Sequence, residues 1–241
     1  MLIVGGLTLG GCGDAEPRAG DHRSLVAESS LVELSGVVTF AGTVPSAVSH
    51  STAGDPSCGD EAGTIDVQDV VVADQKLANV FVWISTGLED RRFPEADDTV
   101  MLTQTRCELQ PRVLGIRTGS AVRFVNTDPT LMNVHARTSN NGAFNVGLDE
   151  HSYETRGFDG AEEAIQIGSD IHRWMRAWIW VLDHPCFAVS DTDGTFRFRL
   201  PPGSYRLSAR HERLGTQHQE IVVEEGKNVT VSLLFTDGET E

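Results

Sequence analysis

Short runs of β-branched and aromatic residues, separated by glycine, proline and aspartate, constrain the fold of this chain more than any other feature. Two of the runs, "TFRFR" and "VTVSL", alternate apolar and polar residues, which is typical of strands with one face in solvent. Turn sequences such as "DTDGTF" and "LPPGSY" lie between the runs. No segment has the periodicity of a long amphipathic helix. The pattern predicts an all-β protein built from sandwiches or barrels.

Length and charge narrow the class of protein. The chain has 241 residues, enough for one large domain or two small domains that each bury a core. Its formal net charge of −16 disfavours nucleic acid as a partner, because both surfaces would be negative. The sequence contains no glycine-rich phosphate loop, no His-Glu-x-x-His, no Cys-x-x-Cys and no Gly-x-Ser-x-Gly. We therefore predict that the protein is not an enzyme.

The N-terminal stretch "MLIVGGLTLGGC" is apolar, uncharged and rich in small residues. It is too short to cross a membrane comfortably as a helix, and it is typical of a secretory signal that ends at a small-residue cleavage site. Because "LGGC" resembles the bacterial lipobox, we predict a signal peptide over residues 1–12 and lipidation of Cys12. A flexible tether over 13–30 would follow. The predicted location is the bacterial cell envelope, periplasmic or extracytoplasmic, with the lipid anchor contacting the membrane.

One group of motifs resembles the carboxypeptidase regulatory-like, or transthyretin-like, sandwich. The stretch "DTDGTFRFRLPPGSYRL" (191–207) is similar to the "D.DG.F....PPG.Y.L" run of that family. The opening strands of the family have counterparts in "GVVTFAGTVP" (36–45) and "LANVFVWI" (77–84). The resemblance implies a β-sandwich whose two halves are far apart in the sequence.

The order of these motifs predicts the domain organisation. We expect the carboxypeptidase regulatory-like sandwich to comprise residues 31–97 and 185–236. Residues 98–184 would form a second β domain between the two halves, and 237–241 a tail. The alternative is two consecutive sandwiches with a boundary near Asp183.

The middle segment resembles a cupredoxin of the plastocyanin and amicyanin type, a Greek-key sandwich that holds copper at one end. The stretch "VNTDPTLMNVHA" (125–136) is similar to the turn that carries a histidine ligand, and "SDIHRWM" (169–175) to the Cys-x2-His-x2-Met loop. Together the two resemblances point to methylamine-utilisation-type envelope proteins, in which a cupredoxin is joined to a carboxypeptidase regulatory-like module. They also imply a disulfide between Cys58 and Cys107.

The cupredoxin resemblance implies a metal site at His135, His172 and Met175, with Ser169 and Met132 as additional candidates. Ser169 stands at the cysteine position of the loop. A type 1 copper centre depends on a thiolate, and a serine hydroxyl does not replace it. Two imidazoles and a thioether suit Cu(I) better than hard cations. We therefore predict weak Cu(I) binding without type 1 electron transfer.

A second interpretation is a non-catalytic binding or scaffold module with a degenerate metal site, which contacts an envelope protein or a glycan. A histidine on a strand is more often a hydrogen-bonded surface residue than a ligand. Met175 follows Trp174 in the sequence and would then fill the core. Fold alone does not choose between the two functions.

Overall fold

The computed structural model describes residues 23–237. The predicted signal peptide with Cys12, the first part of the predicted tether (13–22) and residues 238–241 lie outside the described residues. None of the helices found in 23–237 is long and apolar enough to span a membrane. One 3-10 helix (Glu28–Ser30) is present, and the strands in chain order are β1 (Ser24–Leu25), β2 (Val32–Ala41), β3 (Val48–Ser51), β4 (Thr64–Val67), β5 (Val72–Ala73), β6 (Lys76–Leu77), β7 (Phe81–Thr86), β8 (Arg91–Arg92), β9 (Thr99–Thr105), β10 (Glu108–Gln110), β11 (Val113–Arg117), β12 (Ser120–Asn126), β13 (Met132–Arg137), β14 (Phe144–Leu148), β15 (Tyr153–Phe158), β16 (Glu162–Gly168), β17 (Arg176–Leu182), β18 (Phe187–Val189), β19 (Thr195–Leu200), β20 (Gly203–His211), β21 (Gly215–Val223) and β22 (Val229–Thr236).

A first sandwich combines strands from both ends of the described chain. One sheet has the order β19-β2-β6-β5, with β22 also paired to β2, and the other has the order β18-β7-β20-β21. Along β2 every second residue from Val32 to Phe40 is buried, and the residues that alternate with them are more exposed. Strands β19 and β22 alternate in the same way. This period of two places one face of each strand in a common core.

A second sandwich is formed by β9 to β17. Its sheets have the orders β10-β9-β12-β15 and β11-β17-β16-β13-β14. The chain crosses between the two sheets several times: β12 pairs with β15 in one sheet, and β13 pairs with β16 in the other. Phe124, Ile167 and Ile179 are fully or almost fully buried in the core between the sheets. The predicted all-β class, with two β-sandwiches, is confirmed.

The two sandwiches pack against each other through β7 and β17, which are buried on both faces. Val82 and Ile84 of β7 enter the first core, while Phe81 and Trp83 face the second sandwich. Strand β17 is divided in the same way: one face enters the core of the second sandwich, and the other face packs between the sandwiches. On that second face, Trp180 stacks on Phe81 with ring centroids 4.5 Å apart. Burial on both faces explains why these strands read as continuous apolar runs in the sequence.

Close approach of the sandwiches depends on Gly115 in β11. A Cβ atom at this position would lie 2.5 Å from the ring of Phe187 and 2.7 Å from that of Phe81. Both distances are too short for a carbon contact, so a side chain here would push the two sheets apart.

Two segments differ in detail from the predicted domain organisation. Ser24–Leu25, within the predicted tether, pairs with β8. The hairpin β3–β4 falls within the predicted range 31–97, yet its Cys58 and Val67 pack into the core of the second sandwich. The hairpin loop, residues 52–63, therefore belongs to the surroundings of the candidate site. The domain boundaries themselves stay a prediction.

Candidate metal site

The loop that connects β16 to β17 is organised by Ser169. Its hydroxyl oxygen accepts hydrogen bonds from the backbone N–H groups of Ile171 (3.2 Å) and His172 (2.9 Å). Serine favours this local arrangement because its short side chain reaches the backbone two and three residues ahead. The backbone N–H of Met175 donates to the carbonyl of His172 (2.9 Å), which closes the turn before β17. At the predicted cysteine position, Ser169 thus supports the loop backbone.

His172 is buried beneath the hairpin loop, with 2% of its surface exposed. Its Nε2 lies 3.0 Å from Oδ2 of Asp55 and 3.6 Å from Sγ of Cys58. Its Nδ1 is buried and has no hydrogen-bond partner. A neutral imidazole carries one proton, so an Nε2–H group that donates to Asp55 leaves a lone pair on Nδ1. The ring is therefore fixed in orientation with one nitrogen free to act as a ligand.

Asp55 is ionised under ordinary conditions. Partial burial acts to raise the pKa of this carboxyl, but hydrogen bonds from Ser57, Thr130 and His172 outweigh it and lower the pKa to about 2. Because the folded-state pKa is depressed, the stabilisation is present above the ordinary pKa of 3.8 and is lost as the pH falls towards 2. At neutral pH a carboxylate faces Nε2 of His172.

Strand β13 separates the candidate ligands on its two faces. Met132, Val134 and Ala136 are fully buried and face the core, whereas Asn133 and His135 are on the opposite face. Met132 and Met175 are both members of the buried cluster of the second sandwich. The strand therefore places Met132 on the same side as this core and turns His135 away from it.

His135 has a carboxylate partner on the outer face of the sheet. Its Nδ1 lies 3.0 and 3.1 Å from the two carboxylate oxygens of Asp170. Asn145 Nδ2 donates to the same carboxylate (2.7 Å), and the hydrogen bonds from His135 and Asn145 lower the pKa of Asp170. His135 and Asp170 therefore form a half-exposed pair, separate from the buried surroundings of His172.

The predicted disulfide between Cys58 and Cys107 is present and ties the hairpin loop to the second sandwich. Cys107 lies in a turn in which Arg106 and Cys107 have positive φ angles of 53° and 56°. The carboxylate of Asp128 accepts hydrogen bonds from the backbone N–H groups of both residues, at 2.6 and 2.7 Å. This capped turn holds Cys107 in place, and Trp174 Nε1 donates to its carbonyl (3.0 Å).

The potential metal ligands grouped around His172 differ from the set predicted from the sequence. Within residues 23–237, one group of His, Cys, Asp and Glu side chains has ligand atoms that all lie within 4.8 Å of one another: Asp55, Cys58 and His172. Cys58 offers no thiolate there because it is disulfide-bonded. His135 is not in this group, and metal binding by the predicted set stays a prediction.

Asp55 is the residue near His172 that the sequence analysis missed. It lies 117 positions from His172, and no local motif connects the two. Asp170 was also missed, although its position beside Ser169 and the polar residues along β13 offered a signal for the outer-face pair.

A family model matches the C-terminal part of the chain. Residues 184–236 match the carboxypeptidase regulatory-like domain family, a segment that contains β18 to β22 of the first sandwich. The predicted resemblance of this part of the chain is confirmed. No curated protein matches the sequence significantly.

Solved structures similar to the chain include copper proteins. One is a copper-containing nitrite reductase from Thermus scotoductus SA-01, at 18% identity and a TM-score of 0.34, covering 41% of this chain and 25% of that chain. A purple cupredoxin from Nitrosopumilus maritimus has 18% identity and a TM-score of 0.30, with coverages of 35% and 99%. A reduced variant of amicyanin has 19% identity and a TM-score of 0.33, with coverages of 36% and 85%. The chain thus spans about a quarter of the nitrite reductase.

Proposed function

We propose that the second sandwich binds Cu(I) weakly through His172, Met175 and Met132. The observation that carries this proposal is the unpartnered Nδ1 of His172 in a buried position. A buried polar atom without a partner costs roughly 1–3 kcal/mol, and a metal ion that accepts the Nδ1 lone pair would remove this cost. Histidine ligands commonly donate their other N–H to a carboxylate, which is the role of Asp55 at Nε2.

The surrounding donors determine which metal fits. The core face next to the loop offers the thioethers of Met132 and Met175, both with at most 2% of their surface exposed. Thioether and imidazole donors favour the soft ion Cu(I), whereas Ca²⁺ and Mg²⁺ prefer oxygen ligands. This set replaces the one predicted from the sequence, because His135 lies on the other face of β13 and is bound to Asp170.

The same site is poorly suited to electron transfer. It lacks a thiolate, since Ser169 occupies the position of the cysteine in the loop. The hydroxyl oxygen of Ser169 accepts hydrogen bonds from two backbone N–H groups. The hairpin loop also covers His172, which keeps a redox partner away from the ring. We therefore propose copper binding without type 1 redox chemistry and without catalysis.

The proposed location is the bacterial cell envelope, with the chain anchored by a lipid on Cys12. The lipobox-like "LGGC" sequence and the apolar stretch before it support this assignment. A disulfide agrees with an exported protein, because disulfides persist in oxidising compartments. A globomycin-sensitive shift in mass and incorporation of labelled palmitate would support the anchor; a Cys12→Ser variant that still incorporates palmitate would contradict it.

Replacing His172 by alanine is expected to weaken Cu(I) binding at least tenfold, which corresponds to about 1.4 kcal/mol. The loss follows because His172 supplies the one imidazole nitrogen of the proposed set. The measurement is an anaerobic competition titration against a chromophoric Cu(I) chelator. All variants carry Cys12→Ser, which removes a competing thiol, and keep the disulfide intact.

The matched control for this titration is His135→Ala. Because His135 is held by Asp170 on the outer face, its removal is expected to leave the Cu(I) affinity within about twofold of the parent. Equal losses in the two variants, or no binding by the parent protein, would sink the proposed Cu(I) site.

A rigid, non-catalytic scaffold is the second candidate function, and a polar network between the sandwiches favours it. Arg112 forms an ion pair with Glu212 and another with Asp69 (2.5 Å), and Trp178 Nε1 donates to Glu212 (2.6 Å). Together with the aromatic contacts of Phe81, this network fixes one sandwich against the other. Such a unit would present its surface to an envelope protein or a glycan. A protein that binds no copper but captures a defined glycan or envelope protein would favour this function.

A further inference from the structure

We propose that reduction of the Cys58–Cys107 disulfide creates a binding site for a thiophilic divalent cation such as Zn²⁺, with Cys58, Cys107, His172 and Asp55 as ligands. This site would use Nε2 of His172 and would lie under the hairpin loop. It is distinct from the Cu(I) site proposed above, which uses Nδ1 and the core methionines.

The ligand atoms are already close in the oxidised protein. Nε2 of His172 lies 3.6 Å from Sγ of Cys58 and 3.0 Å from Oδ2 of Asp55, and one atom from each of the three residues lies within 4.8 Å of the others. Sγ of Cys107 is bonded to that of Cys58, so the fourth donor begins beside the first. Two thiolates, an imidazole and a carboxylate form a four-donor set of the kind that tetrahedral Zn²⁺ takes.

The residues of the proposed Zn²⁺ site differ in their exposure to solvent. Cys107 is fully buried and Cys58 is slightly exposed, while the Asp55 side chain is 20% exposed. A reducing thiolate would therefore attack the sulfur of Cys58, and the cation would enter from the side of Asp55. The backbone of Cys107 stays fixed by Asp128, which limits how far its sulfur moves after the bond breaks.

The redox step is a thiol–disulfide exchange. A dithiol reductant donates two electrons and two protons, becomes a disulfide itself and leaves Cys58 and Cys107 as two thiols. Binding of Zn²⁺ then releases both thiol protons, because the thiolate is the ligand form of cysteine. The imidazole proton moves from Nε2 to Nδ1, since a neutral ring has one lone pair to offer.

This proton shift makes the two proposed sites mutually exclusive. With the disulfide intact, Nε2–H donates to Asp55 and Nδ1 is the available ligand. With the disulfide reduced and Zn²⁺ bound, Nδ1 carries the proton and loses its ligand character. The redox state of one disulfide would thereby select which nitrogen of His172 binds metal.

The test uses the full chain in a Cys12→Ser background, with Co²⁺ as a spectroscopic probe for the Zn²⁺ site. The disulfide is reduced anaerobically with a phosphine, which is removed before Co²⁺ is added. The reduced protein is expected to bind one Co²⁺ with the near-ultraviolet and visible bands of cobalt–thiolate coordination, and Zn²⁺ should displace it. The oxidised protein is expected to show none of these bands.

Two variants separate a built site from chelation by loosened thiols. His172→Ala is expected to weaken Co²⁺ binding at least about tenfold, since even partners behind the ligands commonly contribute that much. His135→Ala is the control and is expected to bind as the parent does. Equal affinity in the His172→Ala variant and its parent, or cobalt–thiolate bands in the oxidised protein, would overturn the proposal.

Loss of structure on reduction is monitored by near-ultraviolet circular dichroism. If the reduced chain loosens, Co²⁺ is expected to restore the native spectrum in the parent and not in the His172→Ala variant; failure to restore it in the parent also overturns the proposal. The Cu(I) titration is made on the oxidised protein, so failure of one site does not decide the other.

Discussion

The double variant Met132→His/Ser169→Cys is expected to bind copper with the intense visible absorption of a copper–thiolate centre, whereas the parent protein with copper is expected to show no such band. A type 1 site needs two imidazoles, one thiolate and a weak axial thioether. In the proposed site, His172 and Met175 would supply one imidazole and the thioether. Met132 lies on the core face of β13, so a histidine there would face the same side.

Besides a second imidazole, the proposed site lacks the thiolate of a type 1 centre. Ser169 precedes His172 by three residues, and its hydroxyl oxygen accepts a hydrogen bond from the backbone N–H of His172. A cysteine at position 169 would therefore lie in the same turn as His172. The single Ser169→Cys variant is expected to show the same band with weaker copper retention, since one imidazole is still missing. Free Cys186 does not compete, because burial raises the pKa of its thiol to about 12.

The measurement is visible absorption after addition of one equivalent of Cu(II), with copper quantified after gel filtration. Met132→His/Ser169→Ala provides the matched control and is expected to lack the band, because it has no thiolate. A double variant that retains one copper and remains colourless would show that residue 169 does not point at the ligands, and the cupredoxin-like site would be abandoned.

The choice between Met132 and His135 shows what the sequence could and could not predict about the site. In "MNVHAR" the apolar residues Met132, Val134 and Ala136 alternate with polar ones, which already assigns His135 to the outer face of a strand. The motif resemblance drew attention to the histidine instead. The loop spacing, by contrast, assigned His172 and Met175 to one loop, and a backbone hydrogen bond joins the two residues in the turn before β17; their role as ligands stays a prediction.

The surroundings of His172 depend on contacts that no local pattern contains. Asp55 reaches the ring from the hairpin loop, and Cys58 is bonded to Cys107 across 49 residues. The family resemblance implied that disulfide, but it did not indicate that the loop carrying Cys58 would bury the histidine. Strand identity was easier to predict, since alternation in β19 and β22 is a property of a few consecutive residues.

The apolar runs "FVWI" and "WIWVL" lie in β7 and β17, and their lack of alternation has a structural cause. Each belongs to a strand buried on both faces, one face in its own core and the other between the sandwiches. The sequence shows that both faces are apolar. It does not show that the outer faces of β7 and β17 pack against each other, because their pairing follows from the tertiary fold.

Replacing Trp180 by alanine is expected to lower the free energy of unfolding by about 3–5 kcal/mol, the usual cost of truncating a large buried aromatic side chain. Trp180 is 2% exposed and stacks on Phe81 at 4.5 Å between ring centroids. Its removal would leave a cavity between the sandwiches, next to Phe187 and Gly115. The measurement is urea unfolding, followed by far-ultraviolet circular dichroism.

Trp180→Phe separates the contribution of ring packing from that of the indole nitrogen. Nε1 of Trp180 is buried without a hydrogen-bond partner, an arrangement that itself costs roughly 1–3 kcal/mol. Phenylalanine keeps a ring against Phe81 and removes this donor, so its net effect is expected to be under about 1.5 kcal/mol, as for other swaps that preserve most of the packing. If the alanine variant unfolds within about 1 kcal/mol of the parent, the contact of β17 with β7 does not stabilise the protein. If the alanine variant instead unfolds in two separate transitions while the phenylalanine variant unfolds in one, the stacked rings are what make the two sandwiches unfold together.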